Sequence, residues 1–590
     1  VLTACRVALA VAALGAIAPA GSRGGTVWTA LASEKIRADA PARTQPSAAI
    51  AAARNEFEAF QVIVTGPARG VSAQISAFEG PGIISNARLY REDFVHVVSP
   101  SAADGATGLI PDALVPDVDV VVGEKRNAFP FDVPAGQSRG IWVELHVPPG
   151  ASPGSYRAAV TVRAEGRDTS VPVTLRVWDF SLPSTGSIRT AFAMSYGGVV
   201  KQHGVTGEAL TQLRRRYAQL ALDHRVSLWN LWDDGLVMED WSHFDTAYGP
   251  FLDGAAPTQL KGAKLTSLKS GASLSSVSEH VEWAAHFKAR GWFDRLLQFT
   301  CDEPPLFCNW PDIPPRLLNA KRADPEFRTL ITTDIRNAKA HGLEGSVDVL
   351  APMINFMETR LEGNQSGVES YPDYSSFLSS SPLKELWLYQ ACPSFGCGGS
   401  ENSTGWPSYV IDSNAVRSRA MAWLSFRHGA KGEFYYETTQ AYYGEDPWVE
   451  QRAYNGTGDG TLFYPGTVAR IGGQTDIPVA SIRLKMVRES YEDYEYLKML
   501  SDLGGEADAR GIAQQLFAHA WGTDQSPSAL MSAREALAQK ILARLSKPEG
   551  GSGGCGRTAP VPVAMLALVG LLLLRVRLRR LGSRRPQKQG

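Results

Sequence analysis

Residues Ser276–Pro305 read SVSEHVEWAAHFKARGWFDRLLQFTCDEPP, and this stretch decides the fold. A helical segment, Ser276–Arg290, runs through Gly291 into the apolar strand Arg295–Cys301, which ends on two carboxylates and two prolines. Helix, short turn and buried strand form the unit from which α/β layers are built. The rhythm extends both ways along the chain. Strand candidates are Ile188–Met194, Arg225–Trp232, Ala263–Leu268, Arg295–Cys301, Arg328–Thr333, Val347–Phe356, Glu385–Ala391 and Gly432–Thr438. Helical stretches separate most of them, among them Gly207–His224 and Asp412–Gly429. Eight such strands predict a (β/α)8 TIM-like barrel over residues 187–478. Ala263–Leu268 is the poorest strand of the set, which leaves a seven-stranded or irregular barrel open.

Upstream the pattern is β only. Phe57–Val64, Gly140–Pro148, Tyr156–Glu165 and Val171–Phe180 alternate or run apolar between Gly/Pro/Ser clusters, which predicts an N-terminal β-sandwich over 27–183. Downstream, residues 479–546 read as a C-terminal helical segment packing on the barrel. A chain of 590 residues exceeds one core, so a multidomain protein is expected. A formal net charge of −1 argues against nucleic acid as a partner, because phosphate binding needs a basic surface. The 14 Trp, 18 Tyr and 22 Phe suit stacking on sugars as well as ordinary cores.

Both ends carry targeting patterns. Residues 1–20, with Arg6, a short apolar run and Ala18-Pro19-Ala20, match a signal peptide. Residues 547–558 form a Gly/Ser linker containing Cys555, and residues 559–590 an apolar stretch followed by Arg575, Arg577, Arg579, Arg580, Arg584, Arg585 and Lys588. This order resembles the myxobacterial C-terminal sorting tail. The resemblance implies export, processing near Cys555 and retention at the cell surface or outer membrane, with contact to the membrane through the tail before processing. A plain membrane anchor is the alternative. In an exported chain, Cys301, Cys308, Cys392 and Cys397 are disulfide candidates rather than metal ligands. Pairing within each segment, Cys301–Cys308 and Cys392–Cys397, braces two loops after strands, and pairing between the segments stays open.

Asp302 and Glu303 lie where the fourth strand ends, which in such barrels is the catalytic end. Pro304 and Pro305 stiffen the backbone beside them. Two close carboxyls do not ionise together easily, so one holds a proton at neutral pH. A protonated Glu303 beside an ionised Asp302 is the arrangement a glycosidase uses to expel an alkoxide. The alternative is structural: Asp302 bonds loop amides while Glu303 faces solvent.

Four ordered stretches, Ala52–Val64 (AARNEFEAFQVIV), Phe299–Pro305 (FTCDEPP), Gly456–Gly466 (GTGDGTLFYPG) and Pro478–Leu500 (PVASIRLKMVRESYEDYEYLKML), carry a family resemblance. Together they resemble bacterial proteins with domain of unknown function 4091, which is similar to the catalytic region of glycoside hydrolase family 123, the β-N-acetylgalactosaminidases. The resemblance implies substrate-assisted hydrolysis, in which the 2-acetamido oxygen of a glycan attacks the anomeric carbon. Asp302 would then orient the acetamide, Glu303 would act as general acid and base, and neither metal nor organic cofactor would be needed. Trp229, Asn230, Tyr389, Tyr436 and Glu437 sit at strand ends and are candidates to line the sugar pocket. Asp459 is read as support for a glycine-rich turn, and Glu489, Glu492, Asp493 and Glu495 as a solvated helix face. Two other readings remain: a two-carboxylate retaining glycosidase using Glu303 and Glu437, and a non-catalytic surface glycan-binding protein.

Overall fold

The computed structural model describes residues 25–232, 241–358, 360, 371–396 and 404–546. The signal-peptide, linker and tail segments lie outside these residues. Among the described residues no helix is long and apolar enough to cross a membrane.

The N-terminal part is a pair of packed sheets. One has five strands in the order Thr26–Leu31, Glu56–Thr65, Ser138–Val147, Arg88–Val97 and Gly108–Pro116. The other is ordered Ala48–Arg54, Arg167–Ser181, Gly154–Ala164, Ala68–Ile75 and Phe131–Val133, with two short strands off that path. Phe60, Val62, Val64, Ile141, Val143 and Leu145 of the first face Val160, Val162, Val171, Val173 and Leu175 of the second. Strand Glu56–Thr65 is nonetheless buried on both faces, which explains its unbroken apolar run. Its outward residue Ala59, with Tyr90, Leu114 and Trp142, packs on Ile482 and Met486 beyond the barrel.

The barrel sheet contains seven parallel strands, so the expectation of eight needs correction. In spatial order they are Arg189–Phe192, Gly432–Tyr435, Glu385–Leu388, Val349–Leu350, Arg328–Ile331, Leu296–Cys301 and Leu268–Lys269. The eighth place, between the first and last of these, is taken by the backbone around Leu228. Phe192 N–H donates to Ser227 at 3.0 Å, Trp229 N–H to Phe192 at 3.1 Å, and Lys269 N–H to Trp229 at 2.6 Å. Only one residue pair there bridges in strand fashion, so the wall is continuous although the segment is not a strand. Counting this segment second, Leu296–Cys301 is the fourth wall element and Gly432–Tyr435 the eighth. The interior is filled by Trp229, Leu297, Leu330, Val349, Trp387, Tyr389 and Phe434.

Helix Ile482–Leu500 is the joint of the molecule. Ser481 caps it, its hydroxyl accepting from Leu484 N–H at 3.0 Å. The acidic run on this helix is not a solvated face: Glu489, Glu492, Asp493 and Glu495 are at most 3% exposed. From Ile482 to Leu497 the helix is enclosed on all sides, and each carboxylate meets a donor. Arg419 pairs with Asp493 at 2.7 Å and Glu489 at 2.9 Å, Arg225 reaches Glu492 at 3.3 Å, and Ser187 N–H donates to Glu495 at 2.6 Å. The basic residues of the helix point to the sandwich, Arg483 to Asp112 at 2.7 Å and Arg488 to Glu144 at 2.6 Å. Helix Pro527–Leu545 adds Arg534, paired with Glu56, Glu58 and Asp493.

Candidate active site

The Leu296–Cys301 strand delivers Asp302 and Glu303 to the mouth of the barrel. Cys301 and Cys308 form a disulfide, with Cα atoms 6.0 Å apart, that closes the loop carrying the pair. Cys392 is also disulfide-bonded, and its expected partner Cys397 lies outside the described residues. Glu303 has φ +37°, a left-handed conformation that costs energy for a side chain with a Cβ. Two backbone contacts hold it: Glu303 N–H donates to the Thr332 hydroxyl at 2.7 Å, and its carbonyl accepts from Leu306 N–H at 2.7 Å.

Thr332 has a second role. Having accepted from Glu303, its hydroxyl donates to Asp302 Oδ1 at 2.7 Å. Tyr389, after the Glu385–Leu388 strand, donates to Glu303 Oε1 at 2.6 Å. Each carboxyl of the pair therefore has one oxygen tied, and among the described residues the other makes no hydrogen bond. Burial pushes the Asp302 carboxyl above its ordinary range; the Thr332 hydroxyl opposes this and the charge of Glu303 adds to it. Burial thus acts on the member of the pair expected to be ionised, and Thr332 is what favours its charge. Burial, then the charge of Glu303, raises the Tyr389 phenol far up, so it stays protonated and donates.

A cavity of about 370 Å3 opens beside Asp302, lined among others by Trp232, Ser270, Phe299, Thr300 and Phe307. Leu306 and Phe307, inside the disulfide loop, are 75% and 72% exposed. The remaining sequence candidates fall in different places. Trp229 is 2% exposed and packs edge-on against Phe299 and Phe434 in the barrel interior. The Asn230 amide is committed to the backbone of Met194, donating and accepting at 3.0 Å. Tyr436 donates to Asp459 at 2.8 Å and meets the exposed Tyr454 edge-on. Asp459, raised by burial to about 6, braces the glycine-rich turn.

Glu437 is 4% exposed and both its oxygens are occupied. It accepts from the N–H groups of Ser195, Thr438 and Thr439 at 2.8–3.0 Å, and from the hydroxyls of Ser195 and Thr439. It stitches the eighth wall element to the loop after the first. Sequence reading missed Thr332 and Phe307. The available signal for Thr332 was its place one strand over from the pair, at the end of Arg328–Thr333. Among the described residues no group of three or more His, Cys, Asp or Glu is arranged to hold a metal ion.

Residues 382–500 match the family model described as the glycoside hydrolase 123 catalytic domain. This span holds Tyr389, Tyr436, Glu437, Asp459 and the buried helix, and it excludes Asp302 and Glu303. In fold the chain is similar to a family 123 glycoside hydrolase from Clostridium perfringens, whose structure concerned glycolipid glycan hydrolysis. The two are 13% identical with a TM-score of 0.63, covering 88% of this chain and 98% of that one. A β-glucuronidase from Parabacteroides merdae is 10% identical over 75% of this chain and 50% of its own, with a TM-score of 0.25 that carries no argument. No protein of curated function matches the chain by sequence. Residues 382–500 are thus similar in sequence to the glycoside hydrolase 123 catalytic domain, and over most of its length the chain is similar in fold to a family 123 glycoside hydrolase.

Proposed function

We propose that the protein hydrolyses glycosides of 2-acetamido sugars, N-acetyl-β-galactosaminides first among them, with assistance from the substrate's own acetamide. The family acts on N-acetylgalactosamine glycosides, and the reading for this chain rests on one observation. Among the described residues, Asp302 and Glu303 each present one oxygen without a partner, while the other is held by Thr332 or Tyr389. The free oxygen of Asp302 accepts the acetamide N–H and stabilises the positive charge that grows as the acetamide oxygen attacks the anomeric carbon. The free oxygen of Glu303 gives its proton to the glycosidic oxygen, then takes one from the water that opens the oxazolinium ring. In this scheme Tyr389 restrains the Glu303 side chain through its other oxygen. The saturated hydrogen bonding of Glu437 leaves no lone oxygen for attack on a sugar, which disfavours a two-carboxylate scheme. We further propose export and retention at the cell surface, on the sequence of the terminal segments alone.

The test uses aryl N-acetylgalactosaminide, N-acetylglucosaminide and galactoside. Cleavage of the acetamido sugars only is expected, with Glu303→Gln lowering kcat by roughly 100-fold or more. Equal turnover of the galactoside would sink substrate assistance. Binding of glycans without cleavage of any would favour a non-catalytic surface protein.

A further inference from the structure

A second cavity, of about 470 Å3, lies where the five-stranded sandwich sheet meets the long excursion that follows the eighth barrel element. Its lining shares no residue with the cavity beside Asp302. Its volume falls within the range of roughly 300–1,000 Å3 usual for small-molecule sites. Arg91, Asp93, Phe94, Asp132 and Arg139 come from the sandwich, and Trp448 and Arg470 from the excursion.

The three guanidiniums are not equivalent. Arg91 is used up: it grips both oxygens of Asp93 at 2.7 and 3.0 Å and donates to the carbonyls of Asn127 and Ala128. Arg139 is left 3.6 Å from the same carboxylate, beyond hydrogen-bond reach, and lies over Phe94 at 5.0 Å and Phe131 at 5.9 Å. Arg470 lies over Trp448 at 5.0 Å and is 3.6 Å from Asp446. Among the described residues neither Arg139 nor Arg470 donates a side-chain hydrogen bond. The carboxyl of Glu92 does not compensate Arg139, because burial raises it to about 8 and leaves it neutral near pH 7. Arginine is most favourable where its planar donors meet a carboxylate, so two unengaged guanidiniums in one cavity describe half of an anion site. The aromatic side chains of the lining add apolar surface beside them, as a sugar ring needs.

We propose that this cavity binds an acidic sugar residue, a pyranose bearing a carboxylate, at a site separate from the catalytic pair. The carboxylate takes the unused donors of Arg139 and Arg470, the ring lies beside the aromatic side chains that carry these guanidiniums, and Asp132, which spends one oxygen on Gly70 N–H at 2.7 Å, accepts a hydroxyl with the other. A site there would hold an acidic glycan on the sandwich while the barrel works on another residue. It does not depend on the catalytic reading.

Galacturonate and galactose differ at one carbon, carboxylate against hydroxymethyl, and are the probes of choice. Titration of the full chain, followed by ligand-observed NMR, is expected to show galacturonate bound at least tenfold more tightly than galactose. Arg139→Gln and Arg470→Gln should each weaken galacturonate about tenfold, with an unchanged denaturation midpoint reporting an intact fold. If Arg139→Gln fails to fold, Arg470→Gln at the exposed rim carries the test. Galacturonate binding no tighter than galactose, affinity unmoved by the variants, or inorganic sulfate competing as well as galacturonate would overturn the proposal.

Discussion

Thr332 shows how much one hydroxyl can decide. It accepts from the Glu303 amide and donates to Asp302, so a single oxygen fixes a left-handed backbone and favours the charge on the neighbouring carboxylate. Burial and the Glu303 charge both raise Asp302, and Thr332 alone among the named influences lowers it. Removing the hydroxyl must therefore raise Asp302 further. If ionised Asp302 is the form that orients the acetamide, the acidic limb of kcat/KM moves to higher pH. Thr332→Val is expected to move that limb to higher pH and Thr332→Ser to restore it. A limb that does not move in Thr332→Val would remove Asp302 from that role. None of this was visible in QFTCDEPP, because Thr332 directly follows the next strand, Arg328–Ile331, and meets the pair only through parallel register.

At the scale of elements, helix Ile482–Leu500 converts a sequence that reads as a charged surface into a helix buried at 17 of its 19 positions. Periodicity could not reveal this, since a fully enclosed helix has no solvent stripe and its charges are matched from other segments. Arg483 gives two bonds to Asp112, at 2.9 and 2.7 Å, and two more to the carbonyls of Tyr409 and Gly458. Asp112→Ala strands that guanidinium and should lower stability by ~3–5 kcal/mol in urea denaturation. Asp502→Ala breaks the Lys498–Asp502 pair at 2.7 Å on the exposed surface and should cost under ~0.5 kcal/mol. Comparable losses from the two would contradict the burial argument.

Strand Arg88–Val97 holds a second buried charge problem. Among the described residues both oxygens of Glu92 lack a hydrogen-bond partner, and burial raises its carboxyl from 4.5 to about 8. Below pH 4.5 the folded and unfolded states both hold the proton. Between 4.5 and about 8 only the folded state keeps it, so the Glu92 contribution to stability falls as pH rises. Glu92→Gln removes that dependence. Its denaturation midpoint should match the parent near pH 4.5 and exceed it by an amount that grows toward pH 8, roughly a few kcal/mol at the upper end. A gain that is constant with pH would assign the effect to packing instead.

For the whole molecule, the sandwich is bound into the barrel by buried polar contacts. Lys35 donates to the carbonyls of Ile411 and Ser413 at 2.6 and 2.8 Å, Asp112 and Glu144 receive the helix arginines, and Glu56 and Glu58 receive Arg534. Residues 25–184 and 185–546 expressed apart would each leave these charges without partners, together with the apolar face of Ala59, Tyr90, Leu114 and Trp142. Calorimetry of the intact chain should show one cooperative transition over the folded body, and the separated halves should bind hydrophobic dye or precipitate. Two resolved transitions in the intact chain would contradict this coupling.

The sequence by itself determined the order of layers, the barrel rhythm and the place of the Asp302–Glu303 pair at the fourth strand end. All of these follow from local periodicity, spacing and position. Only the tertiary structure decided that the eighth wall place is a bridge rather than a strand, because its few hydrogen bonds come from neighbours distant in sequence. It likewise decided that Glu437 is saturated, that Asn230 is spent on Met194, that the helix carboxylates are buried, and that Thr332 and Tyr389 hold the pair. A side chain's partners are set by which segments the fold brings within about 3 Å, and no spacing along the chain records that distance.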